Sequence, residues 1–449
     1  MDYLDRLAGF VHRIDLASLP REVVDAARRV VLDGIGVILA GSRLPENGRL
    51  ARLVAERSAG GRATLIGHRL AADPMFAALA NATAGVSLDL DEGNRFGGGH
   101  PAMHVATAAL AVAEELGAGG RRLLESIVAG YEVVSRVGGA TRPRFNVHSH
   151  GTWGTLGAAV AVARLHGYDA ARIREVVNLA ASMSPANSWV PCFEGATIRN
   201  LYPGRAALQG ILAVHLHRCG FTGPRDAPSD VFGVILGDRF DTEQVVAGLG
   251  EDYRIARNYF KFHACCLYSH PTLDALQALV AEERISARDV ERVTVVSVPF
   301  AERMAGRDPA NPLAAKFSIP FAVAALLVTG RTDAEAFGDS TIADGRVRDL
   351  AARVVVRADP EMSMQRSDYP TATVSVLLKD GRTVSRSTTV VRGDSANPAP
   401  PAALVDKFLA LAGPSIGAAG ARAVVEAVDA LEEVGDVRTL TARLVGPGS

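Results

Sequence analysis

Apolar residues recur at three- and four-residue spacing through most of the first 280 positions, in segments such as EVVDAARRVVLDGIGVILAG, PMFAALANATAGVSL, PAMHVATAALAVAEELG, GRRLLESIVAGYEVVSRVG, GTLGAAVAVARLHG and GRAALQGILAVHLHRCG. That period predicts helix after helix, several of them ended by glycine. Alanine and glycine crowd the apolar faces, so the helices are expected to approach closely, as in a bundle. The texture changes near residue 290, where VERVTVVSV, RVVVRAD and TATVSVLLKDGRTVSRSTT carry β-branched runs, the last with Asp380–Gly381 as a hairpin turn. Between them KFSIPFAVAALLVTG reads as a helix, and after the proline-rich NPAPPAA helical periodicity returns in ALVDKFLALAG and AGARAVVEAVDALEEV. The pattern predicts a mainly α protein with an α+β second domain. A helical domain covers 1–268, a smaller α+β domain 269–397, and helices over 398–449 return to the first domain.

Composition narrows the partners. The chain has 449 residues, 48% hydrophobic and 22% charged, with a net charge of −1, so a sizeable core is expected and neither a nucleic-acid partner nor an acidic tail is. The opening MDYLDRLAGFVHRIDLASLP lacks the basic-then-apolar order of a secretory signal, and no apolar run reads as long enough to span a bilayer. Two of the four cysteines, Cys265 and Cys266, are adjacent, which is not a disulfide framework. A cytoplasmic protein with no membrane partner is expected. Only four of the 48 basic residues are lysines, namely Lys261, Lys316, Lys379 and Lys407. A lysine kept against such a bias becomes a candidate for chemistry, because an ammonium is a compact charge whose pKa shifts readily.

Candidate chemistry concentrates first in LDLDEGNRFGGGHPAMH, residues 88–104. An EF-hand register would put Asn94 where glycine is needed and His100 where glutamate is needed. His100 and His104 have the spacing of a zinc pair but neither its glutamate nor a third ligand, so no metal site is predicted. No strand precedes the glycines at 97–99, nor those at 151, 154 and 157, so neither set reads as a phosphate cradle; the latter reads as a close-packing face. Acid–base chemistry remains. Pro101 suits the first position of a helix, which puts His100 at the N-cap, where the helix dipole disfavours an imidazolium. In the competing reading His100 only caps the helix, while Asp89, Asp91 and Glu92 form a solvated turn. Two further clusters, His148 and His150 in RPRFNVHSHGTWG and Lys261, His263, Cys266 and His270 in YFKFHACCLYSHPTLDA, gather proton-transferring and cationic groups near the change of texture.

At these clusters the chain resembles the MmgE/PrpD family of 2-methylcitrate dehydratases and cis-aconitate decarboxylases. The matching pieces are LDLDEGNRFGGGHPAMHVATAALAVAEE, GYEVVSRVGG, HSHGTWGTLGAAVAVARLHG, EGATIRNLYPGRAALQGILAVHLHRCGFTGP, KFHACCLYSHPTLDAL and AAKFSIPFAVAALLVTG, in family order. The resemblance implies a helical domain built from both chain ends, an inserted α+β lid, a homodimer, and a cofactor-free site that acts on di- and tricarboxylates. It marks Asp89, His100, His148 and Lys261 as matches, here the catalytic candidates; Arg199, Cys266 and His263 are the candidates for binding substrate. Compared with decarboxylase-like members, this chain has Gly93 in place of threonine, Arg199 in place of lysine, Phe321 in place of tyrosine and Cys266 in place of histidine. These departures make decarboxylation the least expected of the family's reactions; dehydration is expected, with epimerisation of an iminodisuccinate-like acid as the alternative, and the sequence does not separate the two because both begin with the same proton abstraction. Decarboxylation and an inactive dimeric scaffold rank last.

Overall fold

The computed structural model describes residues 1–58, 60–362 and 369–446. Helix Arg21–Gly41 runs through the middle of the helical part, buried on every side from Val30 to Leu39. A helix apolar all round belongs in a core, and Asp33 is the one charge it carries there. Against it pack helices Pro74–Val86, Pro101–Leu116 and Gly120–Ala140, and helices Gly154–Leu165 and Leu201–Arg218 pack on these in turn. Small residues set their spacing. A side chain on Gly130 would strike the carbonyl oxygen of Gly157, and one on Gly157 that of Gly130, so these glycines serve close helix contact. Gly154 packs directly against the ring of His104.

The β-rich unit forms a four-stranded sheet in the order Val354–Ala358, Val290–Ser297, Ala372–Leu378 and Thr383–Thr388. Its first pair is parallel and the other two are antiparallel, with Val295 opposite Val356 on one side and Val374 on the other. Gly381, at φ +90°, makes the turn of the last hairpin, where the Asp380–Gly381 signal lies. Helices His270–Glu283 and Ile319–Thr329 belong to the same unit.

Helix Pro401–Asp429 lies on helix Arg21–Gly41, with the Phe408 ring against Gly36. By length and composition it is apolar enough to cross a membrane, which corrects the expectation that no such run exists. Pro414 lies inside it and Gly417 leaves helical geometry at φ 74° and ψ 158°, which splits the run into two shorter stretches.

Candidate active site

The chain leaves helix Pro74–Val86 and turns sharply at Asp89, whose φ of 51° is one of two positive values at non-glycine positions among the described residues. Aspartate tolerates that conformation better than most residues do. The turn points its carboxylates inward, leaving Asp89 1% exposed and Asp91 and Glu92 fully buried. The solvated-turn reading therefore fails. His100 holds the N-cap position of the helix that starts at Pro101, as expected, but its side chain makes no cap hydrogen bond; Glu92 supplies it, its Oε1 accepting from the Ala102 N–H at 2.7 Å. The second Glu92 oxygen accepts from the Tyr131 hydroxyl at 3.2 Å. Burial pushes the Glu92 carboxyl well above its usual range, with Asp33 and Asp91 adding to the effect.

Asp89 organises two cations brought from distant segments. Its Oδ1 lies 2.7 Å from Arg199 Nη2 and its Oδ2 3.2 Å from Lys261 Nζ, while the same ammonium donates to the Asp89 carbonyl at 3.0 Å. Burial alone would raise the Asp89 pKa, but Lys261, Arg199 and His100 together hold it far below the usual carboxylate range. The Phe317 ring lies 5.2 Å from the Arg199 guanidinium carbon. A second pair lies nearby, where Lys407 donates to Asp33 Oδ1 at 2.6 Å and to the Leu90 carbonyl at 2.7 Å. Three of the four lysines, Lys261, Lys316 and Lys407, are thus withdrawn from bulk solvent, and only Lys379 is exposed.

The histidines converge on the other side of the loop. His100 stacks on His150 with ring centroids 4.5 Å apart, and His150 meets His104 at 5.2 Å and His148 at 5.8 Å. His100 Nδ1 faces two acceptors, the Asp91 carboxylate at 3.0 Å and the Glu92 carbonyl at 2.8 Å. That nitrogen therefore carries the proton, and in the neutral ring the Nε2 lone pair is left for chemistry. His148 is set the opposite way. Its Nδ1 accepts from the His150 backbone N–H at 2.9 Å, so its proton sits on Nε2. The His148 ring stacks on Trp189 at 3.7 Å. Burial holds the two remaining rings neutral, pushing His104 down to about 3 and His150 well below its ordinary value, with His100 adding to both shifts.

Of the other expected residues, Cys266 lies beside this group, its thiol pushed up to about 12 by burial and by Asp89 against the pull of Lys261. Both ring nitrogens of His263 are committed, Nδ1 to the Thr332 hydroxyl at 2.8 Å and Nε2 to Asp274 at 3.0 Å, so that ring fastens its loop to the α+β unit. Phe321 is 1% exposed, its ring centroid 6.1 Å from that of Phe337. Gly93 exchanges both backbone hydrogen bonds with Tyr259, and the Tyr259 hydroxyl occupies the space a side chain at position 93 would need. Sequence reasoning missed Asp91 as the partner of His100, and also Tyr259, Lys316 and the Lys407–Asp33 pair. For the two lysines the signal was present in their scarcity; for Asp91 and Tyr259 it was not, since only the fold shows what they face.

Comparison with known proteins identifies the family. The MmgE/PrpD N-terminal domain matches residues 5–237 and the MmgE/PrpD C-terminal domain residues 263–433. Similar curated proteins include the cis-aconitate decarboxylase of Mus musculus, 25% identical over 99% of this chain and 93% of that protein. The cis-aconitate decarboxylase-like protein oryM of Aspergillus oryzae is 23% identical over 98% and 96%, and the cis-aconitate decarboxylase of Aspergillus terreus 22% identical over 96% and 93%. With both domain matches spanning most of its length, the chain belongs to the MmgE/PrpD family.

Proposed function

We propose that this protein is a cofactor-independent lyase that removes a proton from the carbon next to a carboxylate of a small di- or tricarboxylate and expels water, in the manner of a 2-methylcitrate dehydratase. The observation that carries this reading is the pair of opposite histidine tautomers beside a two-cation, one-carboxylate cluster. His100 Nε2 takes the proton, and the imidazolium so formed keeps its Nδ1–H between Asp91 and the Glu92 carbonyl, which stabilise it. Charge moves onto the substrate carboxylate as an enediolate. Arg199 and Lys261 share only Asp89, so they retain excess positive charge for it. His148, its Nδ1 lone pair filled, serves as a neutral Nε2–H donor to the same oxygen. The C–O bond then breaks, the alkene forms, and His100 returns its proton to the departing hydroxyl as water. In this reading Asp89 positions the two cations, and the α+β unit over 269–397 acts as a lid.

Epimerisation with His100 and His148 on opposite faces needs a proton donor on each, and a histidine whose Nδ1 accepts a backbone N–H is not an imidazolium. Dehydration is therefore favoured. Decarboxylation is supported by the names of the relatives, but Phe321 has no hydroxyl to donate and Tyr259 fills the space at Gly93. The test is incubation of 2-methylcitrate, citrate, cis-aconitate and iminodisuccinate in deuterated water, followed by proton NMR and alkene absorbance. Alkene formation, with any solvent deuterium found at the α-carbon of the remaining substrate, supports dehydration. Exchange without alkene points to epimerisation and carbon dioxide release to decarboxylation. No exchange, alkene or carbon dioxide from any of these acids overturns the proposal.

A further inference from the structure

We propose that Lys316 is a carboxylate-binding residue contributed by the α+β unit, holding a second carboxylate of a substrate whose first is met by Lys261 and Arg199. The inference deepens the function proposed above and rests on it for the identity of the site. Lys316 ends the short helix Pro312–Lys316 and is 5% exposed. Its ammonium has three donors, and the hydrogen bond described for it runs back to the Pro312 carbonyl on its own helix, at a long 3.3 Å. Lys261 and Lys407 each reach a carboxylate; among the described residues Lys316 reaches none. A buried cation with no counter-charge is costly, and an anion supplied by a ligand would remove that cost.

The segment around Lys316 is fastened to the candidate site at three points. The Lys316 carbonyl accepts the Cys266 N–H at 3.0 Å, Asn311 donates to the Gly195 carbonyl at 2.9 Å, and the Phe317 ring covers Arg199. The charged and titratable groups that act on the ammonium are Asp89, Arg199, Cys265 and Glu46. Burial lowers its pKa to about 8, Arg199 pushes in the same direction, and Asp89, Cys265 and Glu46 oppose them. Lys316 consequently loses its charge within the range in which a carboxylate remains ionised. Charge counting around the site agrees. Lys407 is balanced by Asp33, whereas Arg199 and Lys261 share Asp89 and Lys316 has no carboxylate within ion-pair distance among the described residues. With His100 neutral, the three cations Arg199, Lys261 and Lys316 stand against the carboxylates of Asp89 and Asp91, and the positive charge left over suits an anion.

The test uses tricarballylate, an unreactive tricarboxylate, titrated calorimetrically into the full-length wild type, Lys316→Met and Lys316→Arg at pH 7 and pH 9. Wild-type affinity is expected to fall roughly tenfold between the two pH values as the ammonium is lost, since one pH unit above a pKa costs about a factor of ten. Lys316→Met should bind roughly tenfold more weakly than wild type at pH 7 and show no further fall at pH 9, and Lys316→Arg should keep its affinity at both, because a guanidinium stays charged. If Lys316→Met does not fold, the contrast between wild type and Lys316→Arg still decides. Wild-type affinity from Lys316→Met, an unchanged pH dependence in Lys316→Arg, or no binding by wild type at pH 7 overturns the inference. Failure of the proposed function looks different: no substrate is turned over, yet tricarballylate binding still depends on Lys316.

Discussion

The loops carrying His100 and His148 resemble each other in sequence, each bringing a histidine to just before a helix, yet the fold makes opposite devices of them. At His100 the acceptors Asp91 and Glu92 fix the proton on Nδ1; at His148 a backbone N–H does the reverse. One ring can gain a proton and be stabilised when it does. The other stays neutral. The difference shows that the roles of two similar histidines are set by which hydrogen-bonding group stands behind each ring, a property of the backbone path and not of the residue type.

Removing the two rings separately should expose that asymmetry most strongly. His100→Asn is expected to lower turnover toward the upper end of the ~10²–10⁴-fold range of a general base, and His148→Asn to lower it by about 10²–10³-fold, as for one lost oxyanion donor. Steady-state kinetics at one pH checks both, and a larger loss from His148→Asn would reverse the assignment. Asp91→Asn comes next. The Glu92 carbonyl still holds the tautomer, so the loss should stay near ~10²-fold, short of the ~10⁴ seen where an orienting carboxylate is the sole support. Lys261→Arg should cost roughly tenfold in turnover while the melting temperature stays close to wild type, because the charge next to Asp89 is kept and only its geometry changes.

The smallest effect concerns stability. Glu92 has a folded-state pKa raised by burial, so its contribution is fully present below the ordinary glutamate value of about 4 and is lost as pH rises toward the folded value. Glu92→Gln keeps the hydrogen-bond positions and removes that titration. Denaturant titrations should therefore show the variant losing less stability than wild type from pH 5 to pH 8, and parallel curves would show that Glu92 is ionised in the fold.

Much of the frame was legible in the chain. The three- and four-residue periodicity marked the helices, Pro101 marked a helix start, and the Asp380–Gly381 pair marked the hairpin, because each is a local signal with a local cause. Lysine scarcity singled out Lys261, which does meet Asp89. What stayed hidden depends on long-range placement. Whether the Asp89–Glu92 turn faces solvent or core is decided by Arg199 and Lys261, more than a hundred residues away. His263 had the chemistry of a binding residue, but Thr332 and Asp274 occupy both its nitrogens, and nothing within KFHACC foretells that.

The most direct measurement is of the two tautomers themselves, by nitrogen-15 NMR of histidine-labelled protein, with His100→Asn and His148→Asn used to assign the signals. In the neutral rings, His100 should show a protonated Nδ1 and an unprotonated Nε2, and His148 an unprotonated Nδ1 and a protonated Nε2. Two rings in the same tautomer would contradict the division of labour between base and neutral donor.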